Sequence, residues 1–143
     1  DIYSTGFFRK KAKAVIEAAQ TVVADLGGRL PDTMEALLTL PGVARKTANV
    51  VLGVAFGKAT GVVVDTHVAR LALRLGLTPQ QKTKTTNTER IEQDLRQLLP
   101  QDQWIFAGLA LIWHGRDTCD AKKPRCEQCC LDEHCPRIGV SRK

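Results

Sequence analysis

The sequence predicts an all-α protein, and three observations carry that expectation. Apolar residues recur three and four positions apart through most of the 143 residues, the spacing that lines one face of a helix. Glycines close these segments in turn, at Gly27-Gly28, Gly57 and Gly76, as helix stops commonly do. Only "TGVVVD" is short and β-branched enough to read as extended chain.

The elements follow in order. Residues 8–26 carry Ala12, Val15, Ile16, Ala19, Val22, Val23 and Leu26 at helical spacing. "LPDTMEALLTL" predicts a short helix with Pro31 and Asp32 at its start. "PGVAR" interrupts the pattern, and "KTANVVLGVAF" resumes it through Ala48, Val51, Leu52 and Ala55. "THVARLALRLGL" predicts the next helix. "TPQQKTKTTNT" is a polar connector, with Thr88 as the cap of a helix over 89–99. "DQWIFAGLALIWHGRDTC" is a strongly apolar helix that delivers the chain to its first cysteine. There is no internal repeat and no long low-complexity tract.

Composition bounds the function. A hydrophobic fraction of 43% is enough for a packed core, in one domain or two small lobes. No apolar run approaches the ~20 residues of a membrane span, and no secretory signal opens the chain. An intracellular setting is expected. "DIYSTGFF" lacks an initiating Met and reads as the interior of a longer chain. The formal charge of +6 suits a polyanionic partner, nucleic acid above all; a merely basic soluble protein would carry the same charge.

All five cysteines fall within "CDAKKPRCEQCCLDEHC" near the C-terminus. Disulfides require an oxidising compartment, which nothing here indicates, and an odd count pairs poorly. Four thiolates suit a tetrahedral zinc ion and equally an iron–sulfur cluster. Spacing alone leaves those two open. Lys122, Lys123 and Arg125 lie between Cys119 and Cys126, either as a solvated loop or as a clamp on phosphate.

The stretch "LPGVARKTANVVL" joins two helices through Pro41 and Gly42. Glycine permits a positive φ and a close approach of the main chain. The second helix begins just past the turn, so its free N–H groups suit a phosphate. An ordinary αα-hairpin would need the same glycine for its turn alone.

Three motifs in order resemble one family. "LPGVARKTA" is similar to the helix-hairpin-helix element of DNA glycosylases, "VVVDTHVARLALRLG" to the segment that follows it, and C-x6-C-x2-C-x5-C to the cluster ligands of the endonuclease III family. The resemblance covers most of the chain. It departs in three places: Ala44 stands where the usual pattern has a second glycine, Cys130 is an extra cysteine, and the family's first helices have no counterpart.

The resemblance implies a helix-hairpin-helix DNA glycosylase fold. A helical domain over 1–58 would include the hairpin at 34–53. A second helical part would span 59–118, a cluster loop 119–135 and a tail 136–143. It implies a [4Fe–4S] cluster on Cys119, Cys126, Cys129 and Cys135, with Cys130 a bystander. The implied partner is double-stranded DNA carrying damaged pyrimidines or abasic sites, bound by a monomer in the bacterial cytoplasm. The expected backbone contacts are Leu40, Pro41, Gly42, Val43, Ala44, Arg45, His67, Lys122, Lys123 and Arg125, with His67 and Arg70 assigned either to DNA or to packing.

Lys46 and Asp65 are the expected catalytic pair. A helix start disfavours a positive charge and so favours a free, nucleophilic amine at Lys46; a plain phosphate-binding lysine would occupy the same place. Asp65 also suits an N-cap, and a cap would fix its carboxylate. The family's chemistry implies base removal, a lysine Schiff base and β-elimination on the 3′ side. An adenine-specific mismatch glycosylase shares the hairpin, aspartate and cluster but lacks a lysine where Lys46 stands. A non-catalytic DNA-binding module is the alternative of a different class.

Overall fold

The computed structural model describes residues 2–79 and 86–140. Residues 80–85 of the expected connector and 141–143 of the tail lie outside it. Among the described residues there are six α-helices and no strand: α1 (Phe8–Asp25), α2 (Met34–Leu38), α3 (Arg45–Phe56), α4 (Thr66–Arg74), α5 (Thr88–Leu98) and α6 (Trp104–Asp117). Single 3-10 turns lie at Gln101–Gln103, Cys126–Gln128 and Asp132–His134. None of these helices is long and apolar enough to cross a membrane. The chain divides into two compact units, Asp1–Thr60 and Gly61–Lys143.

The first unit is built around its helical hairpin. Leu37 and Leu40 meet Ala48 and Leu52 in a fully buried cluster, flanked by Ala18, Val22 and Leu26 from the region of α1 and by Met34, Val43 and Val51. The periodicity of α1 promised a deeper burial than this. Val15, Ile16 and Val23 are 65%, 56% and 71% exposed, because the apolar arc of α1 is wider than the strip that the hairpin covers.

Local chemistry sets the ends of α2 and α3. Thr33, not Pro31 or Asp32, caps α2; its Oγ1 accepts the Ala36 N–H at 3.3 Å. Asp32 is engaged elsewhere. Lys58 Nζ lies 2.5 Å from its Oδ2 and donates to its carbonyl at 2.8 Å, which ties the start of α2 to the residue following Gly57. Gly57 ends α3 with φ +64.

In the second unit, extended residues bury Val62 and Val64. Helix α4 packs Val68, Ala69, Leu71 and Ala72 inward, against Ile91 and Leu95 of α5 and against α6. Two glycines let α6 come close. A Cβ at Gly108 would stand 3.3 Å from the Val63 nitrogen, and one at Gly115 would stand 2.9 Å from the Cβ of His67. Asn87, one residue before the expected Thr88, caps α5 by accepting the Arg90 N–H at 3.0 Å. Trp104 opens α6 after a 3-10 turn. Its indole N–H donates to the Leu99 carbonyl at 2.9 Å, under the Arg96 guanidinium at 4.7 Å. The buried Asp94 accepts the Thr78 hydroxyl at 2.5 Å and the Arg90 guanidinium at 3.3 Å, so its charge is paired inside the unit.

Candidate functional site

The hairpin turn between α2 and α3 places Pro41 second and Gly42 third in a turn closed by Val43 N–H to the Leu40 carbonyl at 3.1 Å. That order suits a turn whose third residue needs a positive φ, and Gly42 has φ +74. Its missing side chain also makes room, since a Cβ there would lie 2.5 Å from the Cβ of Ala14. Ala44 sits in ordinary extended backbone, φ −96 and ψ 170, so no second glycine is needed.

As N-cap of α3, Ala44 offers no side-chain oxygen. The first-turn N–H groups of Lys46 and Thr47 accordingly find no acceptor among the described residues. Lys46, the second residue of the helix, is exposed. Leu40 is buried in the core and Val43 packs against it. What the turn presents outward is therefore its main chain at Gly42 and Ala44, and the lysine.

Asp65 is the N-cap of α4. Its Oδ1 accepts the N–H groups of His67 at 2.8 Å and Val68 at 2.9 Å. Both bonds use one oxygen, so the cap leaves Oδ2 uncommitted. His67 is half-buried, with Nδ1 3.2 Å from Nη2 of Arg70. Arg70 turns inward and donates to the carbonyls of Gly115 at 2.7 Å and Cys119 at 3.1 Å.

Cys119, Cys126, Cys129 and Cys135 line one cavity together with Arg74, His114 and Asp132, while Cys130 is exposed and stands outside it. Cys126 and Cys129 flank a 3-10 turn closed at 3.0 Å. The Cys129 sulfur accepts the Leu131 N–H at 3.4 Å and lies 3.5 Å from His114 Nε2. Arg74 Nη1 donates to the Cys119 sulfur at 3.2 Å, and the Cys135 thiol faces the Arg74 carbonyl at 3.8 Å. Burial pushes the Cys129 thiol up, and the neighbouring Cys130, Cys119 and Cys135 add to it. Among the described residues no group of three or more His, Cys, Asp or Glu side chains is set to hold a metal ion. The four cysteines line one shared space, with N–H donors aimed at the sulfurs of Cys119 and Cys129, a donor set that thiolate ligation can use.

Residues 1–101 match the HhH-GPD superfamily of base excision DNA repair proteins. The chain belongs to that superfamily. It is 54% identical over 140 residues to the endonuclease III of Synechocystis, covering 98% of this chain and 62% of the relative. It is 43% identical over 134 residues to the endonuclease III of Thermotoga maritima, covering 94% and 60%. A solved structure of a trapped endonuclease III–DNA covalent intermediate superposes with a TM-score of 0.83 at 34% identity, over 95% of this chain and 62% of that one. The chain thus spans about three fifths of the length of these relatives.

On this superfamily member the basic loop leaves the cysteine site as an exposed turn. Lys122 and Lys123 are exposed. Arg125 is bound to Asp117, through its carbonyl and through Oδ1 at 3.1 Å, so it braces the loop as much as it faces outward. An open groove beside the loop is lined by Arg74, Lys122, Lys123, Arg125, Arg137 and, among acids, Glu127. Sequence reasoning missed Arg74 and Asp120, which shape this region. An arginine on an amphipathic helix carries no sign that it turns inward. Asp120 did carry one: an Asp preceding loop amides is a known turn former.

Proposed function

We propose that the chain carries the catalytic apparatus of a base excision repair DNA N-glycosylase with AP lyase activity, acting on oxidised pyrimidines and abasic sites in duplex DNA. The observation that carries this reading is Lys46, an exposed amine at the uncapped start of α3, directly after the glycine turn. The free amides of that start and the exposed main chain of the turn suit a DNA phosphate. The damaged nucleotide is flipped from the stack. The Lys46 Nζ then attacks C1′ and the glycosidic bond breaks, with the base leaving in protonated form. Asp65, fixed by its cap through Oδ1, uses its remaining oxygen to stabilise positive charge on the sugar and to handle the amine's proton. The sugar ring then opens: the C1′–O4′ bond breaks, a proton passes to O4′, and the amine stays joined to C1′ as a Schiff base. Loss of a C2′ proton then breaks the C3′–oxygen bond and cuts the strand.

Cys119, Cys126, Cys129 and Cys135 would hold a [4Fe–4S] cluster whose part is to brace the basic loop. The shared cavity that these four cysteines line, and the position of Cys130 outside it, support that choice of ligands.

Borohydride reduction tests the reading. A duplex with an abasic site should be trapped covalently by the protein, and Lys46→Gln should abolish trapping while retaining duplex binding. Binding without trapping by the unaltered chain would instead identify a non-catalytic DNA-binding module. An adduct formed by folded Lys46→Gln protein would send the search to another amine.

A further inference from the structure

We infer that Asp120 is a positioning residue for DNA binding, although it is an acid in a loop that grips a polyanion. The inference rests on the proposed role of the basic loop in holding duplex DNA.

The geometry around Asp120 is specific. Its Oδ1 accepts the backbone N–H of Lys122 at 2.8 Å and of Lys123 at 3.1 Å. One carboxylate oxygen thereby folds the chain into a turn at the two lysines, a structure that Asp and Asn both form. The carbonyls before the turn are held from the other side. Arg74 donates to those of Cys119 at 3.3 Å, Asp120 at 2.7 Å and Ala121 at 3.0 Å. The turn closes where the Arg125 N–H meets the Thr118 carbonyl at 2.9 Å. The loop's path is therefore fixed by side chains of the protein as well as by its cysteines.

Two consequences follow for charge. The side chains of Lys122 and Lys123 have no ion-pair partner among the described residues, so both ammonium groups remain available to phosphate. The Asp120 carboxylate is turned to the main-chain amides. It organises the lysines' backbone and is not drawn to their ammonium groups. A flexible loop would have to lose its freedom on binding; a turn already formed presents both lysines at once.

Coulombic and positioning roles predict opposite signs. If Asp120 were only a negative charge near DNA, removing it would tighten binding. If it positions the lysines, Asp120→Ala should weaken binding to every duplex sequence and flatten its salt dependence. Asp120→Asn keeps the Oδ1 acceptor and loses the charge, so it should bind as tightly as the unaltered protein or tighter.

The test uses the full chain with its iron and sulfide content measured, and fluorescence anisotropy of a labelled duplex carrying a stable abasic analogue, over a range of salt. Lys122→Ala/Lys123→Ala serves as the reference. It should lower the slope of log K against log salt by about 1.8, for two phosphate contacts. Asp120→Ala should lose a similar part of that slope at unchanged iron content, and Asp120→Asn should restore it. An Asp120→Ala protein that binds as tightly as the unaltered one overturns the inference while leaving the loop's role intact. A double lysine variant with an unchanged slope overturns the loop's role and the inference with it.

Discussion

Gly42 approaches Ala14 so closely that a Cβ on the glycine would stand 2.5 Å from the alanine's own Cβ. The turn that presents main chain outward is thus also where the hairpin rests against α1. The same glycine has φ +74, so two independent demands fall on one residue. Gly42→Ala should destabilise the protein by about 2–5 kcal/mol, the sum of left-handed strain and overpacking. Chemical denaturation measures this directly. A loss under ~0.5 kcal/mol would mean that α1 yields freely.

Asp65 has a structural and a chemical task, and two substitutions separate them. Asparagine also caps helices well, so Asp65→Asn should leave melting nearly unchanged while slowing base removal. Asp65→Ala should slow it too and cost about 1 kcal/mol through the lost cap. Single-turnover rates beside melting curves provide the comparison. If Asp65→Asn kept its full rate, the carboxylate would have no part in the transition state.

The cysteines divide four to one. Serine at Cys119, Cys126, Cys129 or Cys135 should remove the brown colour and the iron, while Cys130→Ser should keep both, since its thiol is exposed outside the shared cavity. Stripping the metal by chelation should weaken duplex binding through the loop. Zinc in place of iron and sulfide, or bleaching on Cys130→Ser, would contradict the ligand set.

The Asp32–Lys58 pair gives a pH signature. The Lys58 ammonium, by hydrogen bond and then by charge, holds the Asp32 carboxyl below its ordinary value of 3.8. A carboxylate depressed in the folded state contributes stability above its unfolded pKa. That contribution is lost as pH falls through the lower, folded value. The pair is exposed, so its effect is small and weakened by salt. The melting difference between unaltered protein and Asp32→Asn should be greatest near neutrality and close as pH falls through the depressed folded value, below 3.8. A gap that persists in acid would assign it to something other than ionisation.

Much of the helical order was legible because periodicity and glycine stops are local signals. The resemblance was legible because its motifs are local too. Burial was less so. Val15 and Val23 share the helical spacing of Val22, yet only Val22 packs on the hairpin core, and nothing within α1 says how much of its apolar arc will be covered. Caps were misplaced by one residue where neighbours compete, with Thr33 and Asn87 serving beside plausible Asp32 and Thr88. At the candidate site, the cysteines were legible as a group because they crowd into seventeen residues, and Lys46 because it follows the hairpin motif that carries the resemblance. Arg70 was legible only as serving either DNA or packing, and Arg74 not at all, since their acceptors are carbonyls 45 to 49 residues away along the chain.

That difference in reach gives the molecule an order of assembly. The carboxylate of Asp65 is placed by amides two and three residues ahead of it, and such contacts form as soon as α4 winds. Arg74, by contrast, waits for the Cys119 sulfur 45 residues later in the chain and for the Cys135 thiol 61 residues later. On a chain emerging from the ribosome, the acidic end of α4 can be in place while the last cysteine has yet to be translated. The carboxylate of Asp65 can therefore be set in its cap before the cysteine pocket exists at all.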